Sequence, residues 1–427
     1  MPTSPRESLR SIFDAAVAAA HPQACLPAHL PPAPEQGRII ILGAGKAAAS
    51  MSEVALAHYR AQGIDDARIT GLAVTRHGYG GAAGPIRIVE AGHPVPDEAG
   101  IAATRETLAL AGSAMAEDLV LVLLSGGGSA NWIAPAEGID LAEKQAITRA
   151  LLRSGAPIDA INTVRKRLSQ IKGGRLARAA SPARIVTLAI SDVPRDDPAV
   201  IASGPSVPDP TTHAEARALI ERYGVALSDA AQALMRDDAP ETPKPGDPVF
   251  AESRFSIIAR PQDAMDAACA QARREGYEPV MLGADLEGEA RAVAAAHAGD
   301  VREIRRAGKR AALISGGELT VTITGEGRGG PNQEYALALA LALDGLPRVA
   351  ALSGDTDGTD GGIGAADDPA GAIIDDTTLS RAHAKGVDAQ RYLSENDSTG
   401  FFTALDDLLI PGPTRTNVND CRIILID

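Results

Sequence analysis

The sequence predicts an α/β protein of two domains, and three observations support this fold class. Apolar runs at 38–42, 119–124 and 184–190 each end in a turn rich in glycine or acidic residues, and a helical pattern follows. Apolar runs of this length, without strict alternation of apolar and polar residues, indicate strands buried on both faces of a parallel sheet. The length of 427 residues exceeds one ordinary core. We therefore expect a Rossmann-like, mostly parallel sheet domain at 1–236 and a second α/β domain with a mixed sheet at 249–427.

The predicted elements alternate between strand and helix along the first domain. A further strand is predicted at 69–74, and helices are predicted at 46–61, 99–115, 140–153 and 160–171. The segment 237–248 holds four prolines and no apolar period, which predicts a linker or a domain edge. The second domain is predicted to contain a strand at 255–259, an Ala-rich helix, a strand at 278–283, a strand pair at 311–315 and 319–323, a helix at 332–343, a strand at 348–352, a helix at 399–408 and a final strand at 422–426.

The composition excludes several classes of protein. A net charge of −14 provides no basic surface for nucleic acid. No apolar run approaches the roughly 20 residues that a membrane span needs. The cysteines lie far apart and form no CxxC pair, which argues against a zinc site or a disulfide framework and suits a reducing compartment: Cys25, Cys269 and Cys421. We therefore expect a cytoplasmic protein that binds neither nucleic acid nor membrane, and a homodimer is compatible with the sequence.

The first glycine-rich turn, GAGKAAAS at 43–50, suits an anion. It joins a strand to a helix N-terminus, where unpaired N–H groups and the positive end of the helix dipole meet, and it contains Gly43, Gly45 and Lys46. Its spacing is not that of a Walker A loop. Its partial match to the dinucleotide pattern GxGxxA lacks the acidic residue that should end the next strand, near 75–77. Lys46 is thus a candidate anion ligand, with an ordinary solvated lysine as the alternative.

The second glycine-rich turn, SGGGSAN at 125–131, predicts a phosphate site. Three consecutive glycines let the chain adopt positive φ and present successive N–H groups to an anion. A hydroxyl follows them, so the candidate phosphate ligands are Ser125, Gly126, Gly127, Gly128 and Ser129. The alternative is a tight turn with no ligand. Its position at the carboxyl end of a buried strand favours the phosphate site, because α/β proteins bind ligands there.

The most basic segment of this acidic chain is NTVRKRLSQIKGGRLA at 162–177, which includes Arg165. Such a run forms either a solvated helix face or a cationic strip that attracts ATP or a carboxylate. Another cation, Arg328, lies among four glycines in GEGRGGPNQEYAL at 325–337. Arginine forms bidentate contacts to carboxylate or phosphate. Asn332 follows as a candidate cap for the next helix.

Acidic residues follow two of the predicted strands. Asp192 comes directly after the strand at 184–190, and Asp355 and Asp357 lie in SGDTDGTDG at 353–361. The second loop does not have the EF-hand spacing. Carboxylates after strands suit magnesium, which binds a few carboxylates together with waters and phosphates. The alternative is a turn rich in Asp and Gly.

Taken in order, these motifs resemble those of one family, the type II glycerate kinases with a carboxy-terminal MOFRL domain. The resemblance runs from about residue 10 to the end and rests on GAGKAA, GHPVPD, SGGGSA, NTVRKRLSQIKGGRLA, SDVPRDDPAVIASGP, SGGELTVTITGEGRGGPNQEYAL and SGDTDGTDG. The segment SGGGSANWIAP departs from the family pattern at Asn131 and Trp132. The resemblance implies transfer of a phosphoryl group from ATP to the 2-hydroxyl of D-glycerate, with Mg²⁺, giving 2-phosphoglycerate and ADP in an active-site cleft between the two domains.

The resemblance also assigns expected roles to the candidate residues. Lys46, Arg328 and Asp192 are expected to be catalytic, the two cations as clamps on the transferred phosphoryl group or the substrate carboxylate. Gly43, Gly45 and the loop 125–129 are expected to hold the nucleotide. The substrate is expected to contact Lys46, Arg165, Arg328 and Asn332. Asp192, Asp355 and Asp357 compete for the magnesium and general-base roles, and the sequence does not divide those roles among them.

Two rival functions stay open at this point. Some relatives of the family have been called hydroxypyruvate reductases, so an NAD(P)H-dependent reductase is the first rival. That activity needs a ribose-binding acid, and none is evident after the second strand. A non-catalytic sensor of phosphorylated metabolites is the second rival, and measurable turnover would exclude it.

Overall fold

The protein was analysed as a computed structural model, which describes residues 4–362, 365 and 367–427. The chain forms two compact units: Leu26–Ile258 is the first, and Met1–Cys25 together with Ala259–Asp427 is the second. These limits differ from the predicted domains at 1–236 and 249–427. The segment 237–248 lies inside the first unit, where Thr242 is buried and donates to Asp209 at 2.9 Å. It is therefore part of a packed structure, and a free linker is not seen there.

The first unit is a sheet covered by helices. Its strands are β1 (Ile39–Ala44), β2 (Ile69–Arg76), β3 (Ile86–Ala91), β4 (Leu119–Leu124), β5 (Arg184–Ile190) and β6 (Ser253–Ala259). The first two helices of the chain, α1 (Pro5–Ala20) and α2 (Pro22–Cys25), belong to the second unit. The helices of the first unit are α3 (Ala48–Ala61), α4 (Glu98–Gly112), α5 (Gly128–Asn131), α6 (Leu141–Arg153), α7 (Ile158–Arg167), α8 (Arg175–Ala180), α9 (His213–Arg222) and α10 (Asp229–Ala233).

The strand order of this sheet is β3-β2-β1-β4-β5-β6, the order of a doubly wound Rossmann sheet. Strands β1 to β5 pair in parallel with their neighbours. Every residue of β1 and β4 is buried, as their uninterrupted apolar runs predict. The predicted Rossmann-like domain is confirmed.

The second unit is built on a mixed sheet. Its strands are β7 (Glu278–Gly283), β8 (Gly288–Glu289), β9 (Ala311–Ser315), β10 (Leu319–Thr320), β11 (Val349–Asp355), β12 (Gly371–Asp375), β13 (Leu408–Leu409) and β14 (Asp420–Ile426). Its later helices are α11 (Pro261–Arg274), α12 (Ala290–Arg306), α13 (Pro331–Leu343), α14 (Thr378–Ala384), α15 (Ala389–Ser394) and α16 (Ser398–Leu405).

Six of these strands form the order β13-β12-β11-β14-β9-β7, in which only the β7–β9 pair is parallel. The predicted mixed sheet is therefore confirmed. Helix α1 packs against α11 and against strands β11 and β14, which explains why the first 25 residues belong to this unit. Helix α13 is buried along most of its length, and it packs against β11 and β12.

Strands form within both predicted segments, 311–315 and 319–323, but they do not pair with each other. Strand β9 pairs with β14 and β7, whereas β10 stops at Thr320 and pairs with β8 in a separate two-stranded sheet. The chain turns at Gly316 and Gly317, and Gly317 has a φ of +91°. The predicted helix 160–171 also ends early, at Arg167, because Ser169 has left the helix and forms an isolated β-bridge with Pro135.

Two features bear on the predicted location of the protein. None of the helices in the described part of the chain is long and apolar enough to cross a membrane. Cys25, Cys269 and Cys421 are all unpaired thiols, and the latter two are buried.

A buried histidine in the second unit predicts an acid-sensitive fold. His297 on α12 is 5% exposed, and its Nδ1 lies 2.8 Å from the hydroxyl of Tyr335. Burial, aided by the charge of Arg422, lowers the pKa of His297 to about 4. Because the unfolded chain takes up this proton near pH 6.5 while the folded chain does not, stability is lost as the pH falls towards 4.

We expect the free energy of unfolding to fall by about 3 kcal/mol from this group between pH 7 and pH 4. Urea unfolding of the wild type and of His297→Gln at both pH values measures the difference. His383→Gln is the matched control, since His383 is exposed on α14. An identical pH dependence in the wild type and in His297→Gln would contradict the expectation.

Candidate active site

Two glycine-rich turns meet at the carboxyl ends of β1 and β4 in the first unit. These strands are neighbours in parallel register, with Ala44 opposite Leu124. The chain leaves β1 towards β2 and leaves β4 towards β5, so this is the point where the sheet changes direction and where α/β folds bind ligands. The Ser125 N–H donates to the Ala44 carbonyl at 3.0 Å, and the Lys46 N–H donates to the Gly126 carbonyl at 2.8 Å.

The first turn uses its polar groups to hold the second. Gly43 lies inside β1, buried opposite Ala73. Gly45 has a φ of +119°, and a side chain there would collide with Ser125. The N–H of Ala47 donates to the Ser125 hydroxyl at 2.9 Å. The glycines of this turn therefore permit close packing, and we do not propose the predicted nucleotide contacts for Gly43 and Gly45.

The second turn keeps its donors available. Gly127 has a φ of +86° and precedes α5. In the described part of the chain, the N–H groups of Gly126, Gly127 and Ser129 donate no hydrogen bond. Three neighbouring N–H groups without protein acceptors form a concave site for an anion.

Two side chains lie beside Gly127. A Cβ at this glycine would lie 3.5 Å from Cγ of Lys46 and 2.9 Å from Cδ2 of His93. Both side chains are half-buried. The structure thus places Lys46 next to the predicted phosphate loop. It also adds His93, which the sequence indicated only as part of the motif GHPVPD.

The segment that follows β5 supports the far end of the same loop. The Ser203 and Ser129 hydroxyls lie 2.9 Å apart, and the Ser203 hydroxyl donates to the Asn162 amide oxygen at 3.4 Å. Ser203 adopts a left-handed φ of +62°, a strained conformation that is common near functional sites. Asp192 is half-buried at the start of this segment. Sequence reasoning missed Ser203 and Asn162, because their contacts join distant parts of the chain.

The basic segment 162–177 divides into two groups. Lys166 and Arg167 pair with the buried Asp209 at 3.3 Å and 2.6 Å. Burial alone would raise the pKa of Asp209, but the charges of Lys166 and Arg167 hold that pKa below its usual range. Among the described residues Arg165 forms no ion pair, and Lys172 donates to the Ser129 carbonyl at 2.8 Å. The segment is therefore partly a structural ion cluster and partly a support of the glycine loop.

The residues that depart from the family pattern lie just after this loop. Asn131 and Trp132 are completely buried. In the described part of the chain, neither amide atom of Asn131 nor the indole N–H of Trp132 has a hydrogen-bond partner.

In the second unit, the loop that carries Arg328 packs against the acidic loop. A side chain at Gly330 would collide with Asp360, and one at Gly361 would collide with the Gly329 carbonyl. Arg328 is exposed, and only its backbone is held: its N–H donates to Asp397 at 3.2 Å, and its carbonyl accepts from Thr399 at 2.9 Å. Among the described residues its guanidinium has no hydrogen bond or ion pair. This arrangement leaves the Arg328 fork available to a ligand.

Asn332 is placed differently from its predicted substrate role. It is 1% exposed, and its amide group donates to Asp360 at 3.2 Å and to Asp420 at 2.6 Å. Its amide oxygen accepts from Ser353 at 2.6 Å. The N-terminus of α13 is capped by Asp360, whose pKa is raised by burial to about 7. The Asn332 side chain therefore holds the fold, and we do not propose a substrate contact for it.

The predicted metal ligands form no complete cage in either unit. Among the described residues, no group of three or more His, Cys, Asp or Glu side chains could hold a metal ion. Asp355 accepts from the Asp357 N–H at 2.9 Å, and Asp357 accepts from the Thr359 N–H at 2.8 Å. Magnesium normally binds one or two carboxylates and takes its other ligands from water and phosphate, so this donor set fits magnesium brought by a nucleotide.

The chain matches two family models. A domain of unknown function, DUF4147, matches residues 8–236, and the MOFRL family matches residues 311–420. An Agrobacterium vitis protein provisionally named a hydroxypyruvate reductase is 47% identical, over 99% of this chain and 95% of that protein. The D-glycerate 2-kinase of Thermotoga maritima is 42% identical over 91% of both chains. The crystal structure of a Thermotoga maritima glycerate kinase covers 97% of this chain and 98% of its own, with a TM-score of 0.84 and 38% identity.

The sequence identity over nearly the whole length, the shared fold and the two family models all indicate the same family. The chain belongs to the type II glycerate kinase (glycerate 2-kinase) family with a carboxy-terminal MOFRL domain.

Proposed function

We propose that this protein transfers the γ-phosphoryl group of ATP to the 2-hydroxyl of D-glycerate, giving 2-phosphoglycerate and ADP. The observation that carries the proposal is the loop 126–129, where three N–H groups that have no acceptor among the described residues lie beside Lys46 at the switch point of the sheet. Such a site binds phosphate by geometry and by charge. The kinase names of the relatives and of the solved structure support the same reaction.

The proposed roles follow from where charge develops during phosphoryl transfer. Catalysis of this reaction is mainly positioning and neutralisation of charge on the transferred group. The N–H groups of Gly126, Gly127 and Ser129 hold the nucleotide phosphates. Lys46 offsets the charge on the transferred group. Arg328 supplies a planar fork that binds the transferred phosphoryl group or the substrate carboxylate with two parallel hydrogen bonds.

Three carboxylates are the proposed ligands of magnesium: Asp192 in the first unit, and Asp355 and Asp357 in the second. When bound, the ion would supply positive charge that offsets the negative charge of the nucleotide phosphates. The 2-hydroxyl oxygen of glycerate forms the new bond to the γ-phosphorus, and the bond from that phosphorus to the bridging oxygen of ADP breaks. One of these carboxylates accepts the hydroxyl proton, and Asp192 is our first candidate for that role.

The first rival, an NAD(P)H-dependent hydroxypyruvate reductase, has less support. Strand β2 ends at Thr75 and Arg76, which are buried, and neither they nor the following His77 is the acidic residue that the dinucleotide pattern requires at this strand end. Gly45, which would have to face a pyrophosphate, packs against Ser125 instead. The unpaired thiols fit a reducing compartment, and we propose that the enzyme acts in the cytoplasm. The homodimer stays a prediction.

The reaction itself is the first prediction. Purified protein with ATP, magnesium and D-glycerate should release ADP and form 2-phosphoglycerate, and EDTA should abolish the release. Phosphorus NMR of the product identifies the oxygen that was phosphorylated. The same preparation with NADH or NADPH and hydroxypyruvate should not oxidise the cofactor. Reductase activity without phosphorylation would reverse the assignment.

Removing either proposed cation should slow phosphoryl transfer. We expect Lys46→Ala and Arg328→Ala each to lower kcat by about 10²-fold or more, because each loses a charge that faces the transferred group. Arg328→Lys should recover little, since lysine lacks the fork. Matched controls are Lys309→Ala and Arg306→Ala, which remove exposed cations near the end of α12. A near-normal kcat in a folded alanine variant would remove that residue from the mechanism.

A side chain at Gly127 should damage the phosphate loop. Gly127→Ala forces a left-handed φ on alanine and presses its Cβ towards His93. We expect a loss of about 1–3 kcal/mol in the free energy of unfolding and a KM for ATP about tenfold higher, the equivalent of one charge-assisted hydrogen bond. Gly112→Ala is the control, because a Cβ at that helix position meets open space. Equal values of KM for the two variants would mean that the loop does not hold the nucleotide.

A further inference from the structure

One turn of the second unit holds the loop that carries Arg328. We call residues 322–330 the Arg328 loop, and the turn lies at 395–399, where α15 gives way to α16. The Gly327 N–H donates to the Glu395 carbonyl at 2.9 Å, and a side chain at Gly327 would collide with this turn. The same turn holds both the N–H and the carbonyl of Arg328. The turn therefore determines the path of the Arg328 loop.

The Asn396 side chain bonds to three residues of the Arg328 loop. Its amide oxygen accepts from the N–H groups of Thr324 and Gly325 at 2.7 Å and 2.9 Å. The Thr324 hydroxyl donates to the same oxygen at 3.2 Å. The Asn396 amide nitrogen donates to the Thr322 carbonyl at 3.3 Å. One side chain thus fixes the backbone that leads into Arg328.

Buried charges hold Asn396 in turn. Asn396 is 6% exposed, and its amide nitrogen donates to a carboxylate oxygen of Glu334 on α13 at 3.2 Å. Glu334 is 2% exposed and pairs with Arg291 on α12 at 2.6 Å. Arg291 also donates to the Leu393 carbonyl of α15 at 2.8 Å. Because three helices meet behind one amide group in a buried polar network, that group is held rigidly.

The backbone of Asn396 is strained as well. Its φ is +52°, in the left-handed region that asparagine adopts more readily than other residues with a side chain. Such conformations persist where the surrounding structure requires them, and they are common near functional sites. The residue type at 396 therefore serves both the shape of the turn and the contacts with the Arg328 loop.

We infer that Asn396 is a positioning residue that fixes where the Arg328 guanidinium meets its anion. This inference rests on the proposed function. Arg328 is exposed, and among the described residues its guanidinium has no hydrogen bond or ion pair. The position of its backbone therefore determines which region the guanidinium can reach. A displacement of about 1 Å in a catalytic group can cost about 10²-fold in rate. Asn396 acts on the reaction through the Arg328 loop.

Asn396→Gly tests this role, because glycine adopts the left-handed φ without strain and lacks the amide group. We expect kcat to fall about tenfold and the KM for ATP to stay within about twofold, since the nucleotide phosphates are proposed to bind at 126–129. Asp344→Gly is the matched control: Asp344 is exposed at the end of α13, has a φ of +50°, and should leave kcat unchanged when replaced. If Asn396→Gly does not fold, Thr324→Ala removes the hydroxyl from the same contact and should lower kcat about threefold.

A double variant separates positioning from a merely structural role. In an Arg328→Ala background, Asn396→Gly should lower kcat by less than about twofold, because no guanidinium is left to position. A structural role would lower kcat by the same factor in both backgrounds. That result, or an unchanged kcat in Asn396→Gly alone, would overturn the inference.

Hydrogen exchange separates this inference from the proposed function. If the wild type does not phosphorylate D-glycerate, the proposed function fails, and exchange then tests the contact directly. In peptides that cover 321–330, the amides of Thr324 and Gly325 should exchange about tenfold faster in Asn396→Gly, because they lose their acceptor. Asp344→Gly should match the wild type. Equal exchange in the wild type and in Asn396→Gly refutes the inference.

Discussion

The contact between the turns after β1 and β4 is the constraint on which the candidate site depends. Ser125 is bonded through its backbone to Ala44 and through its hydroxyl to the N–H of Ala47, and the absence of a side chain at Gly45 lets the two turns approach this closely. The N–H groups of the first turn that lie in this contact donate to the second turn. As a result the second turn is held rigid while its own N–H groups keep their hydrogen-bonding capacity, which is the condition for binding an anion without reorganisation.

The sequence predicted those parts of the fold whose signal is local. Strands β1, β4 and β5 were predicted because they are almost entirely apolar, whereas β3 and β12 were missed: β3 is partly exposed and carries charged residues, and β12 is only five residues long. The two glycine-rich turns and Arg328 were also identified from a local signal, the residue types within a short segment. The sequence could not predict which of the two turns has N–H groups left to bind an anion. That outcome depends on hydrogen bonds between residues about 80 positions apart. His93 and Ser203 were missed for the same reason.

Arg328 and Asn332 show how neighbouring residues of one motif come to different uses. The backbone of Arg328 is held by hydrogen bonds to Asp397 and Thr399, and its charged side chain is exposed. Because water solvates that charge, the guanidinium needs no protein partner. Asn332 lies in the buried first turn of α13, where its amide atoms need protein partners, and these are Asp360, Asp420 and Ser353. A motif therefore identifies a functional region, and burial determines which of its side chains can contact a ligand.

The return of α1 to the second unit has a consequence for how the protein is made. Helix α1 leaves the ribosome well before its partners α11 and β14, which are translated about 240 and 400 residues later. The first unit, an insertion between the two parts of the second, has all its residues available and can fold meanwhile. The apolar face of α1, with Leu9, Ile12 and Phe13, stays uncovered until β14 has been translated. During that interval the nascent chain carries an exposed apolar helix face, the kind of surface that chaperones shield.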